Sequence, residues 1–152
     1  MKSIELKTND VLNAYTLLGN AKYQKLSDDD KIKVWKIQKA LKPVAVAYYE
    51  ETQDAEEKLK PSDTFDKDCQ LGAQFEKAKA NGEELPISKE RYQELNAQFR
   101  NYIKLVSDAL KESKEKIVKI DFEPLSEDAF GKLMASNDWT LKEVEHLDFI
   151  IG

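Results

Sequence analysis

Residues 27–61 read SDDDKIKVWKIQKALKPVAVAYYEETQDAEEKLKP, and their apolar period decides the architecture. Ser27 can cap free backbone amides, while Asp28, Asp29 and Asp30 face the positive end of the helix dipole. Val34, Ile37, Leu41, Val44, Tyr48, Ala55 and Leu59 then recur at helical spacing until Pro61 stops the segment. A helix over 28–60 would span about 50 Å. Pro43 interrupts it, because proline lacks an amide donor and crowds the carbonyl four residues earlier. The helix either kinks there or stops near Leu41 and restarts. The unbroken phase of the apolar stripe favours the kink.

A second long helix follows. Ser88, with Glu90 in the first turn, opens a stripe of Tyr92, Leu95, Phe99, Tyr102, Val106 and Leu110. Between the two, Ser62-Asp63 can cap a helix carrying Phe65, Cys69, Leu71, Gly72, Phe75 and Ala78, which Asn81-Gly82 closes. Residues 31–42 hold five lysines and no acid, and residues 50–57 hold five acids and no base. The second long helix starts with Lys89, Arg91 and Arg100. Antiparallel packing would set that basic start near the acidic end of the first helix, a weak long-range preference.

The flanks change period. Ile4 and Leu6 alternate with Ser3, Glu5 and Lys7, and Val118, Ile120 and Phe122 alternate with Lys119, Asp121 and Glu123. Period two marks half-buried strands, and these two are natural partners. Thr8 or Asn9 can cap a short helix through Leu18, ended by Gly19-Asn20 in the left-handed conformation. Ser126 caps another, and Thr140-Leu-Lys-Glu143 is a capping box opening a final helix through Val144, Leu147, Phe149 and Ile150. The expected fold is therefore mainly α with a small β element. Two long antiparallel helices and several short ones are joined by a two-stranded antiparallel sheet pairing the N-terminal strand with residues 117–123, in one domain over 1–152.

Composition narrows the function. A chain with 41% apolar and 35% charged residues, five Gly and four Pro is neither collagen-like nor disordered. No run of about 18 apolar residues suggests a membrane span, and Met1–Lys7 lacks the apolar core of a signal peptide. Cys69 and His146 stand alone, so no intramolecular disulfide and no Cys/His metal site is expected. A net charge of -5 disfavours nonspecific nucleic-acid binding. Residues 117–152, with three lysines against eight acids, would repel a phosphate backbone.

Each remaining feature has an ordinary reading. The five lysines of Lys31–Lys42 scatter over more than half of the helix circumference, as a solvated face does. The acids of 50–57 are dense but lack a second cluster with ligand spacing. The two terminal helices joined by Ser136-Asn137-Asp138 have the outline of a helix-turn-helix, but Lys142 faces Glu143, Glu145 and Asp148. Asp66 and Asp68 near Cys69 disfavour a reactive thiolate. Trp35, Tyr48, Tyr49, Tyr92 and Tyr102 are expected to fill a core. Trp139, in a turn, is the aromatic best placed to anchor a partner, and Phe149 and Ile151 lie near it in the acidic C-terminal segment.

The opening Ile4-Glu-Leu-Lys-Thr-Asn9, the paired long helices, Pro124-Leu-Ser-Glu-Asp-Ala-Phe130, Trp139-Thr-Leu-Lys-Glu-Val144 and Phe149-Ile-Ile151 resemble small phage- and prophage-encoded helical proteins, a family without an assigned activity. Residues 62–86 depart from that pattern. The resemblance implies a non-enzymatic protein from a virion or tail gene region: a minor virion or tail component, an assembly factor or an inhibitor of a host protein. It would reside in the bacterial cytoplasm or in the virion and contact a phage or host protein or a second copy of itself. No catalytic residue, cofactor or metal is expected, and Trp139, Phe149 and Ile151 are the candidate contacts. The alternative is a small nucleic-acid-associated regulator using the Lys31–Lys42 face or the C-terminal helix pair.

Overall fold

The computed structural model describes residues 1–152. Six α-helices and two strands follow in the order β1 (Lys2–Lys7), α1 (Thr8–Asn20), α2 (Asp28–Lys58), α3 (Phe65–Asn81), α4 (Lys89–Glu115), β2 (Ile117–Phe122), α5 (Glu127–Ala135) and α6 (Leu141–Glu145), with a 3₁₀ turn at Asp148–Ile150. The mainly α fold with a small β element is as the periodicity predicts. Contacts gather into two compact units, one of residues 1–50 with 112–152, the other of residues 51–111.

In the first unit, β1 and β2 pair antiparallel with Ile4 opposite Ile120 and Leu6 opposite Val118. That register puts the apolar sets of both strands on one face, as period-two side chains require. The face covers a core in which Leu18, Ile37, Leu41, Leu125, Leu133, Leu147 and Ile150 are fully buried. The ends of the chain are tied together. Lys2 Nζ donates to the carbonyls of Phe149 and Ile151, each at 2.8 Å, and Leu125 forms a parallel bridge with Ile151.

Helix ends follow local rules in most places. Ser27 Oγ accepts from the Asp30 amide at 3.2 Å, Ser88 Oγ from Arg91 at 3.1 Å and Ser126 Oγ from Ala129 at 3.1 Å. Thr140 and Glu143 close the capping box. α1 departs from expectation at both ends. Lys7 stands at its cap, without a side-chain bond, because the hydroxyl and amide of Thr8 both donate to the Lys116 carbonyl at 2.8 Å. At its other end Gly19 stays helical and Ala21 turns extended. The last predicted helix is also shorter, ending at Glu145 before the 3₁₀ turn. α2 runs unbroken through Pro43, so the stop and restart near Leu41 does not occur.

The second unit contains the end of α2, α3 and most of α4. Phe65, Phe75, Ala78 and Leu95 are buried in it. Phe65 lies 4.6 Å from Tyr102 between ring centroids, and Phe75 stacks on Tyr92 at 4.2 Å. Gly82 ends α3 with φ 67, a left-handed residue that glycine adopts without a Cβ penalty. Arg91, at the basic start of α4, pairs with Asp68 of α3 at 3.9 Å and with Glu94 of its own helix at 3.1 Å.

Candidate interaction surface

The residues singled out from sequence at the C-terminus are built into the first unit. Trp139, Phe149 and Ile151 are half-buried and pack against its core. Phe149 meets Phe122 edge-on at 5.9 Å, and Ile151 carries the bridge to Leu125. The helix-turn-helix outline resolves into a latch. Asn137 Nδ2 donates to the carbonyls of Lys22 and Leu133, and Asn137 Oδ1 accepts from the Lys22 amide. Ser136 Oγ accepts from the Lys25 amide at 3.3 Å. The would-be reading helix α6 has five residues, too short to lie along a groove.

α2 offers the more exposed face. Val34, Ile37, Leu41 and Ala45 are its buried residues, and at about 100° per residue Ile32, Trp35, Lys39 and Val46 fall away from them, with Lys42 and Tyr49 at the margin of the buried stripe. Trp35 is 56% exposed, Ile32 50%, Tyr49 45% and Val46 39%. Trp35 and Tyr49 were expected in a core; the position of Trp35 on the helix circumference turns it outward, and Tyr49, at the margin of the buried stripe, is exposed as well. Trp35 lies about 100° from Val34, which is the signal that reveals its exposure in the sequence itself. Lys39 Nζ sits 5.1 Å from the Trp35 ring centroid, a cation–π geometry. Two hollows flank the stripe, one of about 180 Å³ beside Tyr23, Lys31 and Trp35, the other a shallow one of about 440 Å³ beside Lys39, Pro43, Val46 and Glu50.

The lysines of this helix are not a uniform basic surface. Lys31 pairs with Asp28 at 3.8 Å and Lys33 with Glu123 at 3.7 Å, while Lys36, Lys39 and Lys42 are exposed. The acids from Glu50 to Glu57 are exposed as well, and Glu57 pairs with Lys60 at 2.9 Å.

The other sequence candidates occupy ordinary positions. His146 is the cap residue after α6, its amide bonded to Lys142 and Glu143 carbonyls. Cys69 is half-buried on α3, and its thiol pKa is raised, first by burial and then by Asp66 and Asp68. The thiol is therefore neutral at pH 7. No group of three or more His, Cys, Asp or Glu is arranged to hold a metal, and no helix is long and apolar enough to cross a membrane. A cavity of about 220 Å³ between α3 and α4, beside Cys69, gave no warning in the sequence beyond a glycine in the middle of a helix. Comparisons with protein-family models, curated proteins and solved structures return no match to this chain.

Proposed function

We propose that the protein is a non-enzymatic contact protein of phage or prophage origin, acting as a minor virion or tail component, an assembly factor or an inhibitor of a host protein, and that it engages its partner through the outward face of α2. One observation carries this reading: a tryptophan 56% exposed on α2, accompanied by exposed Ile32, Val46 and Tyr49. Exposed tryptophan is costly to leave in water and is the residue type most enriched among binding hot spots. The partner's chemistry follows from the surround. Lys36, Lys39 and Lys42 border the aromatic stripe, so the complement is an acidic protein surface presenting an apolar pocket. The resemblance to phage-encoded helical proteins supplies the setting.

The test is capture of partners from phage-infected cells by the wild-type chain and by Trp35→Ala and Lys39→Glu, followed by reconstitution with the purified partner. Trp35→Ala should change folding stability by no more than about 0.5 kcal/mol, yet weaken the reconstituted complex by about 2 kcal/mol, the size of a hot-spot truncation. Lys39→Glu should slow association and reduce its salt dependence. A monomer retrieving no phage or host protein, or a partner bound equally by all three chains, would overturn the proposal.

A further inference from the structure

The cavity between α3 and α4 is shaped by residues other than those of the proposed contact face. Phe65, Leu95 and Phe99 give it apolar walls, and Tyr92, Asp68 and Glu76 a polar edge; no lysine or arginine lines it. Gly72 opens it further. A Cβ at this position would meet nothing within 4 Å, although glycine weakens a helix interior relative to alanine. The missing side chain leaves space where any larger residue would intrude.

Both carboxylates are held in place. Tyr92 donates its hydroxyl to Glu76 Oε1. Thr64 Oγ1 donates to Asp68 Oδ2 at 3.4 Å, and Arg91, outside the lining, pairs with Asp68 Oδ1 at 3.9 Å. A carboxylate accepts several hydrogen bonds, so each retains capacity for another donor. The neutral thiol of Cys69 adds soft apolar surface to the wall. Two fixed anions and three aromatic rings around a space with no cation in its lining favour a positively charged guest, by Coulomb attraction and by cation–π contact. The volume is below the usual range of drug-sized pockets, which is about 300–1,000 Å³. A single-ring or short-chain ligand is what fits.

We propose that this cavity binds a small organic ammonium ion, its apolar body against Phe65, Leu95 and Phe99 and its ammonium group at the Asp68 and Glu76 carboxylates. The full-length chain is titrated with phenethylammonium and, separately, with neutral 2-phenylethanol, which keeps the ring and replaces the amine with a hydroxyl. Binding is read from amide chemical shifts and from protection of Cys69 against alkylation by N-ethylmaleimide. Phenethylammonium should shift amides of α3 and α4 and slow alkylation, and the alcohol should bind about tenfold more weakly or less, the loss expected for a charge-assisted contact. Gly72→Leu, which fills the space, should abolish binding. The double variant Asp68→Asn with Glu76→Gln should lower the affinity for the ammonium by about tenfold or more and remove its advantage over the alcohol; this variant decides alone if Gly72→Leu does not fold. No shift and no protection with saturating phenethylammonium, equal binding of the two probes, or undiminished binding by a folded Gly72→Leu would overturn the proposal. None of these outcomes bears on the α2 face, which shares no residue with the cavity.

Discussion

Asn137 shows how much one side chain can hold. Its amide group pairs with both the N–H and the C=O of Lys22, as a strand neighbour would, and donates also to Leu133. Asn137→Ala removes all three bonds and should cost about 2–3 kcal/mol at roughly 1 kcal/mol each, read by urea denaturation. Nothing in the local sequence points to this, since Ser136-Asn137-Asp138 reads as an ordinary turn and its partner lies 115 residues away. Tyr23 acts over a short span, donating its hydroxyl to the Leu18 carbonyl five residues earlier. Burial raises its pKa above the ordinary value of 10.0. The unfolded chain therefore loses that proton first as the pH rises, so Tyr23 contributes fully below about pH 10 and progressively less as the pH climbs toward its folded value. Tyr23→Phe should cost about 1 kcal/mol at neutral pH through the lost hydrogen bond and flatten the fall in melting temperature above pH 10. Trp35 was expected in a core and is exposed, although helix geometry alone separates it from Val34, Ile37 and Leu41. Trp139 was not legible, because a turn residue has no periodic face from which burial can be read.

At the scale of elements, two glycines with opposite duties make a paired prediction. Gly72 lies within α3 with open space at its Cβ position, and Gly82 ends the same helix at φ 67. Gly72→Ala should stabilise the protein by about 0.5–1 kcal/mol, since alanine restricts the unfolded chain and favours helix. Gly82→Ala should destabilise it by about 1 kcal/mol or more, because an L side chain is strained in the left-handed region. Thermal denaturation of the two variants decides both signs. The end of α3 was legible, as Asn81-Gly82 has the chemistry of a helix stop. So were the caps at Ser27, Ser88, Ser126 and Thr140, whose bonds span three residues. The start of α1 was not: Thr8 has the side chain of a cap but gives its hydroxyl to Lys116, a neighbour created by pairing of the two strands. Pro43 shows similar competition. A proline inside a helix forfeits one backbone bond, yet α2 continues, with Val34, Ile37 and Leu41 ahead of it and Ala45 after it all buried.

At the scale of the molecule, the two compact units differ in what they bury. The first encloses a continuous cluster contributed by β2 and helices α1, α2 and α5, together with Leu147 and Ile150. The second buries Phe65, Phe75, Ala78, Leu95 and Leu110, while Phe99, Ile103 and Leu105 remain 41–50% exposed. Local opening free energy follows buried apolar contact. Amides of α3 should therefore exchange through smaller openings than those of β1, β2 and α1, a difference that native-state hydrogen exchange at increasing urea resolves directly. Equal protection in both sets would show that the chain opens as one cooperative body. Hydrophobic period and capping chemistry, by themselves, determined which segments form the long helices and the strands, the pairing of the N-terminal strand with residues near 117–123, and the phase of the apolar stripe of α2 on both sides of Pro43. These are short-range effects, set by the geometry of a residue and its neighbours within a few positions. Only the tertiary structure decided that Phe149 and Ile151 are structural neighbours of the sheet, that Asn137 grips the loop before α2, and that Gly72 opens a cavity. Each depends on which surfaces meet across more than a hundred residues of chain, or across two helices, and so on the packing of the folded molecule.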